Sequence, residues 1–171
     1  MIKSILSLKT NTYQRCMQIV RKHQNDGGKV ETVPLAKELG LEVYRVKGWP
    51  DDLSGMIKKD PDKGGKSGYA IFVNANHPET RRRFTIAHEI AHFVLHRDLI
   101  GDGIVDDGLY RSALSNPREI EANKMAADIL MPRHLINEYI SGGTTTVEGL
   151  AEKLNVSKSA MSIRLGVPYE T

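Results

Sequence analysis

The sequence predicts an α+β domain in which a small three-stranded antiparallel sheet packs on helices. Three observations lead there. The β-favouring runs LEVYRV (Leu41 to Val46), SGMIKK (Ser54 to Lys59) and GYAIFVN (Gly68 to Asn74) are consecutive, and the turn-rich DPDKGGKSG joins the last two. Everything after them reads as helix or connection, so strands and helices are segregated rather than alternating. The stretch RRRFTIAHEIAHFVLH, Arg81 to His96, is apolar on almost every side, which places that helix inside the protein.

The flanking elements follow from periodicity and stop signals. Tyr13, Met17 and Val20 fall at helical spacing within Asn11 to Gln24, and NDGG ends that helix. Pro34 opens a short helix that Gly40 stops. A long helix is expected from about Pro78 to His96, and another from about Arg118 to Leu130, stopped by Met131 and Pro132. Between them, Arg97 to Pro117 has little periodicity and reads as a lid or binding loop. Val147, Leu150, Ala151 and Leu154 form a further helical stripe, and Ser157 suits the N-cap of one more short helix. The expected division is a main unit over 1–135 and a helical unit over 136–171 packed on it.

Composition limits the function classes. Apolar residues make up 40% and charged residues 26% of the 171, which excludes a disordered chain or a disulfide scaffold. Cys16 is the only cysteine, so no internal disulfide can form. MIKSILSLKT has no sustained apolar stretch or small-residue cleavage site, and no apolar run reaches the ~18 residues of a membrane span. A cytoplasmic protein without a membrane partner is expected. The formal charge of +3 is too small to be a nucleic-acid signature.

The chemistry centres on His88, Glu89 and His92. Phe84, Ile86, Ala87, Ile90, Ala91, Phe93, Val94 and Leu95 surround them, and burying a carboxylate and two imidazoles without partners costs several kcal/mol. Something must offset that cost. His88 and His92 lie four residues apart and share a face, where two ring nitrogens can converge on one cation. Glu89 can then reach a water on that cation without itself being bound. This is the H-E-x-x-H arrangement, in which zinc acidifies a water and polarises a carbonyl while the carboxylate shuttles the proton.

In order along the chain, SGMI, IFVN, RRRFTIAHEIAHFVLH, EIEANKMAADILMP and LAEKLNVSKSAMSIRL resemble the ImmA/IrrE metallopeptidases, zincin-type proteins of bacteria and their mobile elements. The resemblance implies a zincin-like, gluzincin-type endopeptidase domain. It implies a metal, Zn2+ or alternatively Mn2+ or another divalent ion, held by two histidines and a glutamate from a later helix. It also implies the substrate, since characterised relatives cleave Xre-type helix-turn-helix repressors and so act in transcription regulation. Ala91 stands where the family often has glycine and Met125 where it often has phenylalanine. Both keep the position small or apolar.

For the third ligand, EIEAN offers Glu119 and Glu121. Glu119 shares a helix face with Asn123, which could accept the N–H of a ligand histidine, and with the small Ala122 and Ala126; Glu121 lines up with apolar Met125. Glu119 is therefore the expected ligand, with Glu121 as the alternative or as a solvent-facing or substrate-side carboxylate. His96, one turn beyond His92, is a candidate for orienting a ligand or stabilising an oxyanion, or else a packing histidine. Tyr110 is a candidate donor to a tetrahedral intermediate if its loop closes. Arg81, Arg82 and Arg83 are expected to form a solvated face with one structural salt bridge, and Asp102, Asp106 and Asp107 lack EF-hand spacing. LAEKLNVSKSAMSIRL looks like a helix-turn-helix, yet only Lys158 and Arg164 supply positive charge near its second helix, so direct DNA binding is not expected.

Two functional readings result. One is a zinc-dependent, site-specific endopeptidase acting on an Xre-type repressor. The other is a non-catalytic regulatory or toxin-like binding protein of a repressor or antitoxin gene pair, its zincin site vestigial.

Overall fold

The computed structural model describes residues 2–100, 104–107 and 117–168. Helices α1 (Ile2–Asn25) and α2 (Thr32–Glu38) precede strands β1 (Leu41–Val46), β2 (Leu53–Lys59) and β3 (Tyr69–Asn74). The long α3 (Glu79–His96), a 3-10 turn at Arg97–Leu99 and strand β4 (Ile104–Asp107) come next. Helices α4 (Pro117–Leu130), α5 (Arg133–Ser141), α6 (Val147–Leu154) and α7 (Lys158–Leu165) complete the order. None of the described helices is long and apolar enough to cross a membrane.

The sheet departs from the sequence expectation in two ways. It has four strands rather than three, in the order β1-β3-β2-β4, and it is mixed, because β1 pairs parallel to β3 while β2 pairs antiparallel to both β3 and β4. The parallel pair has a physical cause in YAIFVN. Every residue of β3 is buried, so this strand takes the centre, where both of its faces and both of its edges are covered. The six residues from Lys47 to Asp52 then carry the chain from β1 past β3 to β2. Asn74, fully buried at the end of β3, clamps that crossing by donating from Nδ2 to the carbonyls of Pro50 and Leu53, both at 2.9 Å.

The second departure is β4, inside the stretch expected to be a loop or lid. IVDD is too short to show alternation and joins the sheet only by pairing with β2, across a register shift between Leu53 and Gly55.

The small expected helices are present with shifted ends. Helix α2 starts at Thr32, placing Pro34 in its first turn, where a missing N–H costs nothing, and Gly40 follows with φ +86°. Pro78 is the N-cap of α3 rather than its first residue. The side chain of Ser157 accepts from the amide of Ala160 at 3.1 Å and so caps α7.

The core is continuous from the sheet to the last helices. Leu41, Ile57 and Ile71 of the sheet, Ile90 of α3, Leu150 and Leu154 of α6 and Met161 of α7 belong to one buried cluster. Helix α4 is the most extensive partner of α3. Their axes approach closely because Ala87 and Ala91 on one side and Ala122 and Ala126 on the other are all fully buried. Arg164 of α7 is committed to this packing, with a 2.7 Å ion pair to Asp128 and a 3.0 Å hydrogen bond to the Met131 carbonyl.

Of the three consecutive arginines, Arg83 is not on a solvated face. It is 5% exposed, and its guanidinium donates to the carbonyls of Val30 at 2.8 Å and Asn155 at 3.1 Å. Glu31 lies 3.6 Å away. Arg83 thus binds the C-terminal end of α6, where carbonyls lack helical partners, to the segment before α2. Asn155, in the left-handed conformation at φ 51°, returns a contact by donating to Glu79 at 2.7 Å. Arg81 donates to Ser54 at 3.0 Å, and Arg82 donates to the His77 carbonyl. Replacing the buried guanidinium, Arg83→Met, leaves several buried carbonyls without donors and should cost about 2–4 kcal/mol of stability, read from the urea midpoint at unchanged slope.

Candidate metal centre

Helix α3 holds the candidate site because its sequence combines apolar surroundings with ionisable groups at helical spacing. His88, Glu89 and His92 are 3%, 0% and 1% exposed. Nε2 of His88 and Nε2 of His92 face each other at 3.0 Å. Glu119, in the first turn of α4, reaches between them, with Oε2 3.1 Å from His88 Nε2 and Oε1 3.2 Å from His92 Nε2. Asn123, one turn further along α4, presents Oδ1 2.9 Å from His88 Nδ1. That oxygen is an acceptor, so His88 carries its proton on Nδ1 and turns its Nε2 lone pair inward.

These distances suit a small cation. A tetrahedral site with metal–ligand bonds of ~2.0–2.1 Å has ligand atoms about 3.3–3.4 Å apart, close to the three separations above. Without a cation, lone pairs on two imidazoles and a carboxylate converge at this spacing, which is repulsive unless a proton or a metal sits among them. Among the described residues, His88, His92 and Glu119 form the group of histidine, cysteine or acidic side chains able to hold a metal. The residues present therefore fit a divalent metal.

The electrostatics favour the ligand forms. Burial pushes the His92 imidazole below its ordinary pKa, outweighing the opposing pull of Glu119, and keeps the ring neutral. The imidazole nitrogens of His88 and then His92 beside it hold the Glu119 carboxyl well below the ordinary carboxylate range, against the effect of its own burial. Neutral imidazole and ionised carboxylate are the states that bind metals. Glu119 is 24% exposed while both histidines are sealed, so the site opens to solvent on the side of α4.

The other expected residues fall in distinct places. Glu121 is not among the converging donors; its side chain is 63% exposed and its Oε2 lies 3.1 Å from His96 Nε2. His96, 7% exposed, places its Nδ1 3.0 Å from His92 Nδ1. Asp106 and Asp107 stand in β4, opposite Gly55 and Leu53. Tyr110 and Asp102 lie outside the described residues.

Two imidazoles one turn apart and a carboxylate from another helix are a metal-donor set that metallopeptidases use. The comparison with known families agrees: residues 36–166 match the family model described as the IrrE N-terminal-like domain, and the chain belongs to that peptidase family. It is 37% identical over 84 residues to the radiation response metalloprotease IrrE of Deinococcus radiodurans, a match covering 48% of this chain and 25% of that protein. The IrrE of Deinococcus deserti is 35% identical over 86 residues, covering 49% of this chain and 30% of the relative. The matched part is thus less than a third of either relative's length. A solved structure described as a Mycobacterium tuberculosis transcriptional regulator shares the fold at a TM-score of 0.58 and 17% identity, covering 96% of this chain and 52% of that one.

Sequence reasoning passed over one residue that shapes the site. Gly55 sits in β2 where that strand crosses α3, and a Cβ there would lie 2.4 Å from Thr85 Cγ2, 2.9 Å from the Phe72 carbonyl oxygen and 3.6 Å from Glu89 Oε1. The only local sign was its place in SGMI, because the need for glycine comes from a helix thirty residues away. Gly55→Ala must push β2 off α3 and should cost about 1–3 kcal/mol, visible as a lowered thermal midpoint.

Proposed function

We propose that this protein is a zinc-dependent, site-specific endopeptidase whose substrate is an Xre-type helix-turn-helix repressor in the cytoplasm. One observation carries the enzymatic reading: ligand atoms of His88, His92 and Glu119 all lie within 4.8 Å of one another, with fully buried Glu89 next in sequence to the first. The substrate class is supported by the resemblance of SGMI, AHEIAH and EIEAN to their counterparts in the ImmA/IrrE family.

When bound, the metal would acidify a water and polarise the scissile carbonyl. His88, His92 and Glu119 would hold it, leaving a coordination position for substrate and water. Glu89 takes the proton from the attacking water and returns it to the amide nitrogen as the C–N bond breaks, so the leaving group departs as a neutral amine. Burial keeps the Glu89 carboxylate out of bulk water and next in sequence to His88. Selectivity for one partner is part of the proposal, since nothing in the sequence suggests a general degradative enzyme.

Two measurements test this reading. Protein kept from chelators should hold about one divalent metal per chain by elemental analysis. Glu119→Ala should weaken zinc binding beyond the ~10–100-fold typical of an outer partner, and Glu121→Ala only slightly; the reverse ranking would mean that the ligand is Glu121. For the chemistry, Glu89→Gln should retain the metal while cleavage of an Xre-type repressor falls by about 10²–10⁴-fold. Cleavage at the wild-type rate would overturn the proton-shuttle role. Binding without cleavage by the wild-type, metal-loaded protein would favour the non-catalytic regulatory reading, and ready digestion of casein would refute the selectivity.

A further inference from the structure

The two histidines facing Glu119 are oriented from behind in different ways. His88 is fixed by the amide oxygen of Asn123, 2.9 Å from its Nδ1. Among the described residues, no amide takes that place at His92. Its Nδ1 faces a third imidazole, His96, at 3.0 Å, and the far nitrogen of His96 faces Glu121 at 3.1 Å. We propose that Glu121 and His96 are positioning residues that form a one-way hydrogen-bond relay setting the tautomer of His92, and through it the affinity of the site for metal.

The direction of the relay follows from what each atom can donate. An ionised carboxylate only accepts, so His96 must present N–H to Glu121 from Nε2. In the neutral ring this leaves a lone pair on His96 Nδ1. His92 then donates from Nδ1, and its own lone pair lies on Nε2, facing His88 Nε2 and Glu119. The opposite tautomer of His96 would set N–H against N–H at 3.0 Å and drive the His92 proton onto Nε2, where it blocks coordination. Three side chains on two helices thus define one proton arrangement, and it is the one that a metal needs. The relay is buried at His92 and His96 and reaches solvent at Glu121, whose side chain is 63% exposed.

This inference rests on the reading of His88, His92 and Glu119 as metal ligands, and the experiment separates the two. Zinc affinity of the full chain is measured by competition with a chromophoric chelator, and the cobalt(II)-substituted protein is followed by its visible absorption. His96→Leu removes the acceptor and should weaken zinc binding by about 10–100-fold with a shifted cobalt spectrum. His96→Asn places an amide oxygen where Nδ1 was and should restore affinity and spectrum close to wild type. Glu121→Ala, at the exposed end, should cost about two- to fivefold. Should His96→Leu fail to fold, His96→Gln, similar in size but without an acceptor at that position, takes its place. In the zinc-loaded protein, long-range proton–nitrogen NMR should put the protons on His92 Nδ1 and His96 Nε2. Wild-type affinity in His96→Leu, equal losses in the Asn and Leu variants, or a His96 proton on Nδ1 would overturn the relay. Full zinc affinity in Glu119→Ala would instead overturn the ligand assignment on which it rests.

Discussion

Five ionisable side chains of a single helix, Arg83, His88, Glu89, His92 and His96, are withdrawn from water. Each costs several kcal/mol if left unmatched, against a net stability of about 5–15 kcal/mol for a domain of this kind. Much of the architecture around α3 reads as the answer to that constraint. Helix α4 brings Glu119, Asn123 and Glu121 to the three histidines. The residues before α2 and the end of α6 bring carbonyls to Arg83. The elements that packing alone could have placed in several ways are held where the buried charges need them.

Steric economy makes those polar contacts possible. Alanines on the facing sides of α3 and α4 let the two helices approach until side chains as short as Asn123 reach across, and glycine at 55 lets β2 lie against the opposite side of α3. A helix gripped on two sides by small residues has little freedom to tilt. Fixed geometry matters here because the three donors sit only 3.0–3.2 Å from one another, and a displacement of an ångström would change which atoms meet.

What could be read from the sequence was what is local. Histidines four apart on an apolar helix announce a shared face, and the i,i+4 relation of Glu119 to Asn123 distinguishes two glutamates that composition cannot. Three strands were legible from β-favouring runs, with ends within a residue of those observed. Their order was not. Parallel pairing of β1 with β3 depends on the uniform burial of YAIFVN, which short apolar strands can satisfy in several topologies. Four residues of β4 carry too little pattern to separate a strand from a loop. Arg83 could not be told from Arg81 and Arg82, because its burial is decided by chain segments some fifty and seventy residues away. The contact of Glu121 with His96 escaped for a related reason: helical spacing ranks faces within a helix, and says nothing of which turn of a neighbouring helix it will meet.

The reach of Arg83 bears on how the molecule matures. Its acceptors come from Val30, made well before α3, and from Asn155, made long after it. As the chain leaves the ribosome, the sheet and α3 can collapse together, but the guanidinium lacks its later carbonyl until α6 has emerged. By then α4, with Glu119 and Asn123, has already been synthesised, so final anchoring of the helix that bears the histidines waits on the synthesis of α6. Until α6 is made, the helix that bears the histidines lacks one of the anchors that seat it.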